Sequence, residues 1–221
     1  MVVLPQSLRS LTPASLRDDV RVRALALGLG LIPPRTMHSQ EDVDVLLDAA
    51  RGARSVVEIG VYEGASALAL ARALGPDAAL HLIDPFGHHP DALPGGWGAS
   101  ERATRRLLAR ATRGLGARAP RIVWHVALSH EVAAGWTAPV DLVFVDGDHS
   151  EAGCKRDWLC WHPLVSPGGY VVFHDARADR SGGRGLPGPT AVVARYLRGD
   201  RSSAWRIVAE ADRTVAARRL R

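Results

Sequence analysis

The chain has 221 residues, 47% hydrophobic and 23% charged, which is enough length for one domain whose core needs neither disulfides nor a structural zinc. That balance excludes wholesale disorder, and no apolar run approaches the ~18 residues of a membrane-spanning helix. The net charge of +5 is carried by arginine, since Lys155 is the only lysine. Apart from the tail at Arg213, Arg218, Arg219 and Arg221 the arginines are scattered, so the basic stripe of a nucleic-acid binder is not expected. Cys154 and Cys160 stand six apart, on different sides of a helix, which argues against a disulfide framework. Met1 to Ser10 lacks the basic start and apolar core of a secretory leader. A cytoplasmic protein is the expectation.

Ser15 to Leu31 carries apolar residues at helical spacing until Pro33-Pro34 breaks it. Ser39, followed by Gln40, Glu41 and Asp42, is an N-cap with acid in the first turn, and its helix runs through Val43, Leu46, Leu47 and Ala50 to Gly52. Strands and helices then alternate. Strands are expected at Ser55–Ile59, Ala79–Asp84, Arg121–Val126, Val140–Val145 and Gly169–Phe173. Helices are expected at Ala65–Leu74, Ser100–Gly114, His130–Trp136, Ser150–Leu164 and Thr190–Leu197. Trp205–Val208 and Thr214–Ala217 close the chain as two strands around Asp212. Strands separated by helices imply a doubly wound, mostly parallel α/β sheet, and the final pair, lacking a helix, forms a hairpin that makes one edge antiparallel. The expected organisation is an N-terminal helical extension, residues 1–52, and one α/β domain, residues 53–221.

Ligands of such sheets bind at the carboxyl ends of the strands. Four of the first five strands end in acids or histidines: Glu58, Asp84, Asp146 to His149, and His174-Asp175. Gly60 and Gly64 make a G-x-x-x-G turn, and Tyr62 occupies the place where a dinucleotide fingerprint needs bare backbone, so NAD is disfavoured. Asp84 follows Gly64 by twenty residues, the distance at which an acid on the second strand meets a ribose diol. Glu58 suits a cationic ligand. The plainer reading of G-x-x-x-G alone is a helix-capping turn.

Glu-Ile-Gly-Val-Tyr-Glu-Gly-Ala-Ser, residues 58–66, resembles the first motif of class I S-adenosylmethionine-dependent methyltransferases, in the form of the catechol O-methyltransferase branch. Asp146-Gly147-Asp148-His149-Ser150 and Phe173-His174-Asp175 resemble the bacterial metal-dependent O-methyltransferases that act on sugars of antibiotics. The resemblance covers Val56 to Asp175. It implies a Rossmann-like seven-stranded sheet with an antiparallel last strand. It places Glu58 and Gly60 under the methionine part of the cofactor, Tyr62 and Ser66 at its carboxylate end, Asp84 on the ribose and Ser129 beside the adenine, with Gly64 also counted among the cofactor-binding residues. Asp146, also counted with the cofactor residues, His174 and Asp175 match a divalent metal site, for magnesium or manganese, and His149 matches a general base.

A cation on a vicinal diol lowers the hydroxyl pKa, and a histidine near pKa ~6.5 then takes the proton. The magnesium-dependent relatives have a carboxylate where His174 stands, and three readings follow: a softer metal, a site completed by Asp148, or a metal-free site in which His149 and His174 act as acid and base. The expected activity is O-methyl transfer to a small molecule, a sugar or polyhydroxylated natural product of secondary metabolism. Methyl transfer to an amine or a catechol, an inactive cofactor-binding partner protein, and an RNA methyltransferase resting only on the basic charge are the alternatives. Trp158 and Trp161 read as core, Cys154 and Cys160 as small core fillers, Asp148 as a helix cap as readily as a ligand, and His88-His89 as solvated loop. His38 lies where related enzymes close over the cofactor. Acceptor specificity is assigned to the Pro85–Gly98 and Ala176–Gly188 loops and the N-terminal helices, which by analogy also offer a homodimer surface.

Overall fold

The computed structural model describes residues 19–88, 99–177, 185–198 and 204–221. In chain order the elements are α1 (Val20–Leu29), α2 (Gln40–Ala49), β1 (Ser55–Ile59), α3 (Ala65–Ala73), β2 (Ala79–Ile83), α4 (Glu101–Leu115), β3 (Arg121–His125), α5 (Ser129–Ala134), β4 (Val140–Val145), α6 (Glu151–Trp161), β5 (Val165–Phe173), α7 (Pro187–Tyr196), β6 (Trp205–Ala211) and β7 (Thr214–Arg219). One seven-stranded sheet runs β3-β2-β1-β4-β5-β7-β6. The first five strands pair in parallel, and β7 lies antiparallel between β5 and β6. The expected doubly wound sheet with a terminal hairpin is therefore present.

Alternate residues along each central strand serve opposite faces, because side chains of a strand point alternately up and down. Val56, Leu80, Leu142, Phe144 and Val172 pack under α2, α3 and α4 with Leu46, Leu70 and Leu108. Val57, Ile59, Val143, Val145 and Phe173 pack over α5, α6 and α7 with Cys154, Trp158, Trp161 and Val192. Both tryptophans and Cys154 are core, as expected, whereas Cys160 is half-buried. Burial on both faces explains the near-continuous apolar strands.

The first helices are built into this frame. α2 packs against α3 and the β5–β7 edge, and α1 lies on α4 through Leu27, Ala103 and Leu107. The Ser39 cap forms as expected: its side chain accepts from the Asp42 N–H, and the Asp42 carboxylate accepts from the Ser39 N–H. Element ends move by a few residues. α7 begins at Pro187 because proline's fixed φ and missing N–H suit a first helical turn. β5 begins at Val165, ahead of the expected Gly169, and an irregularity between Val140 and Leu142 of β4 lets it continue past Pro167 and Gly168. The specificity loops expected at Pro85–Gly98 and Ala176–Gly188, with His89, fall partly or wholly outside the described residues, as does the start of the first helix.

Candidate active site

The strand order reverses direction between β1 and β4, so the loops after these strands part there and open a crevice. A cavity of about 300 Å³ fills it, lined by Gly60, Val61, Tyr62 and Ser66 after β1, Asp84 and Pro85 after β2, Leu128 and Ser129 after β3, Asp146 to His149 after β4, and His174 and Asp175 after β5. Arg35, Met37 and His38 close it from the N-terminal side.

The first turn is shaped by backbone approach. Gly60 has φ +86°, and a Cβ there would lie 2.1 Å from the Asp146 carbonyl oxygen, so β1 and β4 leave room for glycine alone. Tyr62 adopts φ 53°, uncommon for a residue with a side chain. Its N–H and that of Val61 donate to Asp84 Oδ2 at 2.9 and 2.8 Å, and Phe86 N–H donates to Oδ1 at 2.7 Å. Asp84 therefore fastens the turn and keeps about one of its four acceptor sites, on Oδ1, for a ligand in the cavity it lines. Gly64, φ +83°, caps α3 and faces Thr104 rather than the cavity. Glu58 is fully buried; Oε1 accepts from Ser66 Oγ at 2.5 Å, and Oε2 meets no partner among the described residues. Burial pushes its pKa up to about 8, with Asp146 and Asp84 adding repulsion and Ser66 opposing. Ser66 thus spends its hydroxyl on Glu58. Ser129 donates to Asp157 Oδ1, a carboxylate 4% exposed whose pKa burial raises to about 6.

At the other end four side chains converge. His174 Nδ1 lies 3.0 Å from Asp146 Oδ1 and 3.4 Å from Asp175 Oδ2; His149 Nε2 lies 3.4 Å from the same two oxygens. One ligand atom from each of the four falls within 4.8 Å of every other. The three residues expected to hold a metal are together, and His149, expected beside them as a base, points Nε2 into the same cluster. Asp148 is not part of it: its Oδ1 accepts from Ser150 N–H, and Ser150 caps α6.

Burial disfavours charge on Asp146, yet hydrogen bonds with His149, His174 and His38 hold its pKa well below the usual carboxylate range. Burial likewise opposes charge on His174, but Asp146 and Asp175 raise its pKa to about 10; they also raise that of His149. Three further side chains brace the cluster. His38 Nε2 lies 3.0 Å from Asp146 Oδ2, buried Asp42 Oδ2 lies 3.8 Å from His174 Nε2, and Arg213 donates to Asp175 Oδ1 at 3.1 Å. Asp42 had signalled only a cap, and Asp157 and Arg213 carried no local motif. Their roles come from residues 28 to 171 positions away.

The spacing fits a small cation. An ion ~2.0–2.2 Å from each ligand sets neighbouring ligands roughly 3.0–3.4 Å apart, the range of the four histidine–carboxylate pairs, in a cluster whose ligand atoms all lie within 4.8 Å of one another. Two imidazoles with two carboxylates favour manganese, iron, cobalt or zinc over magnesium. The bare Gly60 backbone and Asp84 likewise suit a nucleoside, whereas Glu58, fully buried, does not line the cavity.

A family described as Methyltransferase domain matches residues 57–176, just over half of the chain. The chain belongs to this methyltransferase family. The O-methyltransferase TomG from Streptomyces achromogenes, involved in tomaymycin synthesis and solved with S-adenosylmethionine, is 23% identical, with a TM-score of 0.59 over 97% of this chain and 95% of that one. The O-methyltransferase NovP is 17% identical, with a TM-score of 0.63 over 90% and 89%. An O-methyltransferase from Bacillus cereus, solved with S-adenosylhomocysteine, is 19% identical, with a TM-score of 0.53 over 95% and 92%. At these identities the likeness establishes the fold. Protein R132 of Acanthamoeba polyphaga mimivirus, an uncharacterized protein, is 33% identical over 55 residues, and the match spans about a quarter of each chain. No helix among the described residues is long and apolar enough to cross a membrane.

Proposed function

We propose that the protein transfers the methyl group of S-adenosylmethionine to a hydroxyl of a small molecule, a sugar or polyhydroxylated natural product of secondary metabolism. The observation that carries the reading is one cavity with a nucleoside-suited turn at one end, Gly60 to Asp84, and the Asp146–His149–His174–Asp175 cluster at the other. Bound S-adenosylmethionine supplies a methyl on a sulfonium, an excellent leaving group, so the task left to the protein is to deprotonate and aim the acceptor oxygen. Asp146, His174 and Asp175 would hold a divalent cation, which lowers the pKa of a coordinated hydroxyl. Asp42, His38 and Arg213 fix the ligand side chains in place. His149, the most exposed of the four with 29% of its side chain accessible although Nε2 itself is sealed within the cluster, takes the acceptor's proton. A second reading makes His149 the fourth ligand, favoured by the 3.4 Å approach of Nε2 to both carboxylates.

Calorimetry should show S-adenosylhomocysteine binding and no heat from NAD; the reverse would overturn the assignment. With a methyl acceptor in hand, chelator should abolish turnover and leave cofactor binding intact, and manganese should restore at least as much activity as magnesium. His149→Ala should lower kcat by about 10²–10⁴-fold with cofactor affinity unchanged. Metal content retained in that variant identifies His149 as the base, and metal content lost identifies it as a ligand.

A further inference from the structure

Arginines that look scattered along the sequence are gathered by one helix. The segment Glu101–Arg118 contains six arginines and one acid, so α4 and the turn after it hold +5, the net charge of the whole chain, and the rest of the sequence balances. Arg102, Arg106, Arg110 and Arg113 follow one another at steps of four, four and three, which sets them in one exposed row. Glu101 is engaged by Arg105 at 2.6 Å, and among the described residues no carboxylate reaches Arg102, Arg106 or Arg113.

α1 lies beside this row. It turns Ala24 and Leu27 toward α4 and leaves Val22, Leu25 and Leu29 outward, 42%, 59% and 55% exposed. The two helices meet along the arginines: Arg110 Nη2 donates to the Gly28 carbonyl at 2.6 Å, and Arg106 Cδ lies 3.6 Å from where a Cβ on Gly28 would fall. The outer face of the pair is therefore an apolar stripe bordered by guanidinium groups. Neither helix carries an exposed hydroxyl, amide or aromatic side chain.

This chemistry selects the partner. A second copy docked on the face about a two-fold axis would set one arginine row against another. Nucleic acid would meet the arginines, but the protruding leucines have no place on a phosphate backbone, and no aromatic ring stands here to stack on bases. A specific protein interface draws on tyrosine, tryptophan and hydrogen-bonding groups, which this face lacks. A bilayer of anionic lipid needs only what is present, apolar side chains for the acyl boundary and arginines whose long stems reach the headgroup phosphates. We propose that the α1–α4 face is a docking surface for anionic phospholipid membranes. The inference is independent of the methyl-transfer reading.

The test is co-sedimentation of the full chain with vesicles of mixed phosphatidylglycerol and phosphatidylcholine, and with vesicles of phosphatidylcholine alone, at ~0.15 M salt, where the Debye length is ~8 Å. Each arginine near an anionic surface contributes roughly fivefold, so the mixed vesicles should bind at least about 25-fold more tightly than the neutral ones. Salt at about 1 M should release the protein. Arg102→Glu with Arg113→Glu should weaken binding by about 25-fold or more. Arg195→Glu with Arg206→Glu makes the same change of charge on α7 and on the edge strand β6, and should weaken binding by less than about fivefold. Leu25→Ser with Leu29→Ser should weaken it by about tenfold or more, through lost apolar contact with lipid. If the leucine pair does not fold, the contrast between the two arginine pairs decides. No binding to the mixed vesicles, equal binding to both kinds, equal loss in the two arginine pairs, or binding unchanged in a folded leucine pair overturns the proposal. A concentration-dependent dimer that the leucine pair dissociates, with no vesicle binding, overturns it in favour of a second copy on this face.

Discussion

Gly60 is the residue at which fold and function press hardest on one another. Its virtual Cβ meets the backbone that follows β4, with the Asp146 carbonyl carbon at 2.6 Å and Gly147 Cα at 2.7 Å. Backbone in the centre of a sheet cannot swing aside as a flexible side chain would. Gly60→Ala should therefore cost about 2–5 kcal/mol, combining overpacking with a left-handed φ. A melting temperature lower by roughly 5–15 °C, with cofactor binding lost, is the expected result. Gly75→Ala is the control, since nothing lies within 4 Å of its Cβ position. It should leave both unchanged; equal losses in the two variants would mean that crowding at the β1–β4 crossing is not the cause. The G-x-x-x-G spacing announced this turn in the sequence. The left-handed conformation of Tyr62 was not legible, because the Asp84 carboxylate that holds it comes from the next strand.

At the scale of elements, the N-terminal part of the chain joins the site through one acid. Glu63, 2% exposed, accepts from Arg23 Nε at 2.5 Å and Nη2 at 2.6 Å, and from the Arg35 backbone N–H at 2.6 Å. This bidentate pair ties α1 and the strap that follows it to the β1–α3 turn, and the strap carries Met37 and His38 to the cavity. Removing the acid leaves Arg23, whose side chain is 17% exposed, without this partner, at a cost of about 1–3 kcal/mol. Glu63→Gln should speed hydrogen exchange in α1 and in residues 31–38 while the central strands keep their protection, and should weaken cofactor binding. Uniform loss of protection across the sheet would show instead that Glu63 supports the whole fold. The helices themselves were legible from periodicity and the Ser39 cap. Their docking was not, since a helix face records that it is buried but not against what. Asp42 shows the limit: a cap by its sequence, it also receives the Arg213 N–H, 171 residues away, and faces His174.

For the whole molecule, the alternation of apolar strands and helices was sufficient to imply the sheet, and the acids and histidines at strand ends were sufficient to locate the crevice, because parallel topology collects all those ends on one edge. What topology does not reveal is the energetic burden of placing those groups in the interior. Glu58 near the carboxyl end of β1 is fully buried, and its folded pKa of about 8 stands well above its ordinary 4.5. An acid shifted upward stabilises the fold only while protonated in both states. As pH rises past 4.5 the unfolded chain releases the proton and the folded chain retains it, so stability falls across the interval from 4.5 to about 8 and levels beyond it. His81 sets the opposite limit: burial, with His125 and Arg121 adding repulsion, lowers its pKa to about 4, so stability present above 6.5 is lost as pH falls toward 4. Glu58→Gln isolates the first effect, since the other titrating groups are common to both proteins. The melting temperature of the variant minus that of the parent, measured without cofactor, should increase steadily from pH 5 to pH 8 and then stay level. The amide's own unmet hydrogen bond shifts that difference by a constant and leaves its slope untouched. A difference that does not change with pH would mean that Glu58 is ionised in the folded chain throughout, held by a cation or by water in the cavity.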